Sequence, residues 1–103
     1  MIVDTPESAH AWILCWRRDS KSPRERQRTF ERAAESTDYC VSLSRDDQAR
    51  ARFEATAKVL RAAAEEERII ADAQDTERAE RKKAQEEEAR AEMARLAAKH
   101  HIT

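Results

Sequence analysis

The side chains able to do chemistry are few, and their spacing works against most of what they could do. Nucleophilic catalysis would need Cys15 or Cys40 beside a base such as His10. His10 and Cys15 are five residues apart, which puts them on different faces of a helix, and only a fold contact could bring Cys40 to a base. A free cysteine is more often a small buried hydrophobe. His100 and His101 are adjacent, so on a helix they point about 100° apart rather than at one ion. No CxxC or HxxxH pattern is present to bind a metal. The triplets Glu65-Glu66-Glu67 and Glu86-Glu87-Glu88 fan around a helix axis, which reads as a solvated acidic face and not as converging carboxylates. The sequence thus predicts no catalytic residue, no metal ligand and no cofactor, and hence a non-enzymatic protein.

Two other groups of residues suit binding. Residues 17–32 carry seven basic side chains against three acidic ones, a net charge of +4. Arg24, Arg28 and Arg32 share one helix face, with Arg17 and Lys21 nearby. Two short helices bearing such a face resemble a helix-turn-helix reader in outline. Against that, Glu31 and Glu35 can pair with Arg28 and Arg32, no Asn is available to read adenine, and only Gln27 offers an amide on that helix. A protein partner is therefore preferred to a nucleic acid. The second group is a short apolar patch near the C-terminus, Ala89, Met93, Leu96 and Ala97, at helical spacing. The candidate partner-binding residues are Arg17, Lys21, Arg24, Arg28, Arg32, Met93 and Leu96. Trp12 and Trp16 could anchor a partner, but in a chain this poor in large apolar residues at least one belongs in the core.

The elements that position these residues are helices. The 103-residue chain contains no Gly and no Asn, the residues that reach positive φ at low cost. Primed hairpin turns and glycine-rich phosphate loops depend on them, which argues against β-sandwiches and open α/β enzymes. Residues from Ser44 to about Lys99 are almost all Ala, Glu, Arg, Lys and Gln, the strongest helix formers. One continuous helix of that length would extend ~80 Å at ~1.5 Å per residue. Ser44 with Asp47 three residues on reads as its capping signal.

Upstream, Thr5 can cap a helix with Pro6 at its first position, running to about Arg18. Ala9, Trp12, Ile13 and Trp16 form its apolar face, with Cys15 beside them, and Ile2 and Val3 can fold back as a hydrophobic staple. Ser22, Pro23 and Glu25 predict a full capping box for a second helix ending near Glu35. Thr37 to Leu43 reads as a loop, apolar enough to tuck into the core or to form a short helical turn. In the long helix, Ala49, Phe53, Thr56, Leu60, Ala63 and Ile70 mark a seam broken by Glu67, with Val59 and Ile69 widening it. Beyond Ala73 the seam fades. Pairs such as Glu77–Arg81 and Glu86–Arg90 then support the helix without a partner.

The expected fold is all-α: a small bundle of two short N-terminal helices packed on one long helix, with a projecting charged C-terminal helix. The domains divide as a three-helix head over 1–72 and a charged helical arm over 73–103. Charged residues are 40% of the chain but the net charge is only −1, so whole-molecule electrostatics selects no partner. Residues 65–92 carry eleven acidic against six basic side chains, opposite in sign to residues 17–32. That contrast suggests a homodimer through the long helix, antiparallel, or contact with a basic partner surface. No stretch approaches a membrane span, the N-terminus does not read as a secretory signal, and two cysteines make no disulfide framework. A cytoplasmic protein is expected, acting as an adaptor, an assembly factor or a small inhibitor such as a phage would encode, with a nucleic-acid binder or a structural coiled-coil oligomer as alternatives. The Ala/Glu/Arg/Lys composition is shared by coiled-coil segments in general and singles out no family.

Overall fold

The computed structural model describes residues 3–101, with side chains as far as residue 100. The described residues form three helices and no strand: α1 (Pro6–Asp19), α2 (Pro23–Leu43) and α3 (Asp47–His101). No described residue has a positive φ. That is what a chain without Gly or Asn requires, since turns through the left-handed region would be costly at every position.

The helix ends show why each element begins where it does. At α1 the Thr5 hydroxyl accepts from the Ser8 N–H and the Ser8 hydroxyl accepts from the Thr5 N–H, each at 3.1 Å, a reciprocal box with Pro6 at the first position. The α2 box is only half made. The Ser22 hydroxyl accepts the Glu25 N–H at 3.2 Å, but the Ser22 N–H goes to the Ser20 hydroxyl at 3.4 Å and not to the Glu25 side chain.

Two expectations about the α2–α3 connection need correcting. Residues 37–43 are not a loop: α2 continues through them to Leu43. The Thr37 hydroxyl donates to the Ala33 carbonyl at 2.8 Å, so a buried polar side chain is satisfied within the helix and does not compete with it. Helical geometry then turns Thr37, Cys40 and Val41 inward but leaves Tyr39 and Leu43 exposed. Ser44, read as the N-cap of the long helix, instead ends α2. Its N–H and its hydroxyl both bond to the Cys40 carbonyl, at 3.0 and 2.8 Å. Asp46 caps α3, its Oδ1 accepting the Gln48 N–H at 3.1 Å and its carbonyl the Arg50 N–H at 2.9 Å.

The chain falls into two units, Met1–Ala71 and Asp72–Thr103. In the first, α1 and α2 pack on the start of α3. Ala9 and Ile13 of α1, Phe30 and Ala34 of α2, and Leu60, Ala63 and Ala64 of α3 are buried together, flanked by Val3, Trp12, Trp16, Ala33 and Val59. Trp12 meets Phe30 edge-on at 5.6 Å between ring centroids and Trp16 at 6.2 Å. Val3 fills the place expected of the staple, while Ile2 lies outside the described residues. Both tryptophans are half-buried against the core, and Cys15 beside them is exposed.

On α3 the buried seam runs Thr56, Ala57, Leu60, Ala63, Ala64, Glu67 and Ala71, with Ala49 and Phe53 half-buried before it. Two of its expected members are absent from it: Ile70 is 43% exposed and Ile69 57%. Glu67, expected to break the seam, is part of it at 1% exposure.

In the second unit α3 is helical throughout, including residues 73–76. Every residue from 72 to 100 is exposed. Local ion pairs line it: Glu92–Arg95 at 2.5 Å, Asp75–Arg78 at 3.7 Å, and the expected Glu77–Arg81. The Glu86–Arg90 pair expected with them is not made among the described residues.

Candidate interaction surfaces

The one buried charged side chain among the described residues, Glu67, lies beneath the arginine-rich region. Glu67 on α3 receives Arg17 Nε of α1 on Oε1 and Arg26 Nε of α2 on Oε2, each at 2.9 Å. Arg17 also reaches Glu66 at 2.6 Å, and Arg26 donates to the Ser20 carbonyl in the α1–α2 connection. A single carboxylate therefore joins all three helices. Burial disfavours the Arg17 charge, but the hydrogen bonds it donates to Glu67 and Glu66, with the charge of those carboxylates, outweigh burial and hold the Arg17 pKa above its usual value. Among the described residues no buried side-chain nitrogen or oxygen lacks a partner.

This arrangement divides the basic cluster. Arg17 and Arg26 face inward and are committed to Glu67. Arg18 is paired with its neighbour Asp19 at 2.9 Å, which raises the arginine pKa and lowers the carboxyl. Arg24 is half-buried and donates to Gln27 Oε1 at 2.6 Å, while Gln27 Nε2 donates to Glu31 at 2.9 Å. Gln27, the one side-chain amide on α2, is thus engaged twice. Lys21, Arg28 and Arg32 are exposed, and among the described residues Arg28 and Arg32 do not form the pairs with Glu31 and Glu35 that the spacing allows. Of the five basic candidates, the structure presents three freely on the surface, holds Arg24 partly back and commits the half-buried Arg17 to Glu67 and Glu66.

Glu67 is the residue that sequence reasoning missed. Its triplet looks like a solvated face, and Glu66, 64% exposed at its side chain, is solvated. The available signal was register: positions 53, 56, 60, 63 and 67 continue one 3-4 spacing, so Glu67 falls on the inward face whatever its chemistry.

The remaining candidates lie in the second unit. Met93 is 71% exposed and Leu96 45%. The groups considered for chemistry stay apart. His10 lines an open cleft between α1 and α3 with Ile13, Val59 and Ala62, whereas Cys40 lines another with Val3, Ala33 and Phe53. Cys15 lies in a third, about 450 Å³ in volume, with Trp12, Trp16, Lys21 and Glu25. No group of three or more His, Cys, Asp or Glu is placed to hold a metal ion among the described residues. Nor is any described helix long and apolar enough to cross a membrane. Compared with protein-family models, with curated proteins and with solved structures, the chain matches none.

Proposed function

We propose that this chain acts by binding and not by catalysis, as an adaptor, an assembly factor or a small inhibitor, with the helix beyond residue 72 as its association surface. One observation carries this reading: residues 72–100 are helical, yet every one of them is exposed. Isolated helices are marginal in water, and most helices gain stability by packing an apolar face. A long helix that keeps Met93 and Leu96 in solvent is suited to completing its packing on another molecule. Lys21, Arg28 and Arg32 offer a second, basic contact on α2. Two unpaired cysteines fit a reducing, cytoplasmic setting.

The test is in-cell cross-linking followed by capture of the tagged chain, comparing wild type with Met93→Ser/Leu96→Ser and with Lys21→Glu/Arg28→Glu/Arg32→Glu. A partner retained by wild type and lost from either variant supports the reading. Equal recovery of every protein by all three chains overturns it.

Nucleic-acid binding is the second reading, favoured by the exposure of those same three basic side chains. Phosphate contacts would weaken with salt at about 0.9 log units per neutralised phosphate. A gel shift at low salt decides it, and absence of retardation removes this reading.

A further inference from the structure

The charges of the second unit form a pattern that reverses sign when reflected through Gln85. Between residues 72 and 98, every reflection that sets two charged residues opposite each other pairs unlike signs. Asp75 meets Arg95, Arg78 meets Glu92, Glu80 meets Arg90, Lys82 meets Glu88, and Lys83 meets Glu87. No like-charged pair occurs. Moving the centre of reflection one residue either way places Glu80 opposite Glu88, or Glu80 opposite Glu92. A parallel pairing in register would set every charge against its own kind.

Three of these pairs can meet across one interface. Positions three, seven and ten residues from Gln85 lie within about 80° of it on a helix. Asp75, Arg78, Lys82, Gln85, Glu88, Glu92 and Arg95 therefore share a single face, and all are exposed. Ala89 and Leu96 lie on the same face and supply apolar contact. The pairs already formed within the helix fit the reflection too. Asp75–Arg78 and Glu92–Arg95 each run acid then base along the chain. Laid antiparallel, the two doublets form a closed square of alternating charge.

We infer that the partner of this helix is a second copy of the same chain, paired antiparallel along residues 72–98 with the two Gln85 side chains at the two-fold axis. This rests on the proposed reading of the helix as an association surface. It specifies partner, direction and register. Exposed ion pairs are individually weak, so the dimer is of modest affinity and loosens with salt.

Sedimentation velocity on the full chain at low salt tests it, with circular dichroism to confirm unchanged helix content. Wild type is expected to dimerise. Lys82→Glu places like charges together at both symmetry-related contacts and should weaken association about tenfold or more. The double exchange Lys82→Glu/Glu88→Lys restores both contacts and should recover the wild-type affinity. Gln85→Cys in a Cys15→Ser/Cys40→Ser chain should cross-link to itself through a short bismaleimide, and Lys83→Cys, on the opposite face, should not. A monomer at hundreds of micromolar, a double exchange as weak as the single change, or equal cross-linking from both positions would overturn the inference. A chain that stays monomeric yet captures a different protein through Met93 and Leu96 would sink the self-pairing alone and leave the binding function standing.

Discussion

The two units contain the same kinds of charged side chain and use them in opposite ways. Near the α1–α2 connection, Glu67 is held by two arginines from two other helices, its carboxylate removed from water and both oxygens occupied. Beyond residue 72, Glu77, Glu92 and their arginines pair with neighbours one turn away on the same helix, exposed to solvent. The first arrangement spans 41 and 50 residues of sequence and ties the fold together. The second spans three or four residues and supports only the helix that carries it. Residue type therefore says little about a charge's role here. The distance in sequence to its partner, and the water left around it, decide whether it holds the head or decorates a surface.

That contrast can be broken most forcefully at Glu67. Glu67→Ala takes the shared carboxylate from Arg26 and leaves Arg17 only its exposed contact with Glu66, and should cost about 3 kcal/mol of unfolding free energy, read from urea denaturation. Replacing the whole trio, as Arg17→Met/Glu67→Leu/Arg26→Met, should recover most of that loss, because apolar side chains of similar volume need no partner. A loss below about 1 kcal/mol for Glu67→Ala would place this pair among exposed ones and dissolve the contrast.

Arg81→Ala tests the other side. It should lower helix content slightly, by the ~0.3–0.5 kcal/mol typical of such a pair, and leave the urea midpoint of the head unchanged. A shift of the head transition would show that the distal pairs also support the core.

The smallest effect concerns Asp19, whose pairing with Arg18 lowers its carboxyl pKa in the folded chain. A lowered folded pKa contributes stability above the unfolded value, about 3.9, that is lost as pH falls through the folded value. Wild type should therefore exceed Asp19→Asn slightly in urea midpoint at pH 7, with the difference closing in acid. Because both side chains are exposed, added salt should shrink it as well.

How much was legible in advance varied by element. The cap at Thr5 and the apolar face Ala9, Trp12, Ile13 and Trp16 were readable because they depend only on residues within one or two turns. The end of α2 was misread. The run Thr37 to Ser42 has no strong helix formers, and it becomes helical because Thr37 satisfies its own hydroxyl and Cys40 and Val41 find half-buried positions. The basic cluster was visible as a count of charges. Its separation into inward Arg17 and Arg26 and outward Lys21, Arg28 and Arg32 was not, because the deciding partner lies on another helix.

The sequence by itself determined that the chain would be helical, where its first helix would begin, and that a seam would lie along α3 near Phe53–Ala63. Local propensity, capping and periodicity suffice for all of these, and no distant contact is involved. Register set Glu67 on the inward face of α3, but tertiary structure decided that a carboxylate could be buried there and that Ile70 lies outside. A carboxylate can occupy a core position only if its desolvation is offset by charges held in place around it. Arg17 and Arg26 come to that place only once α1 and α2 are folded against α3.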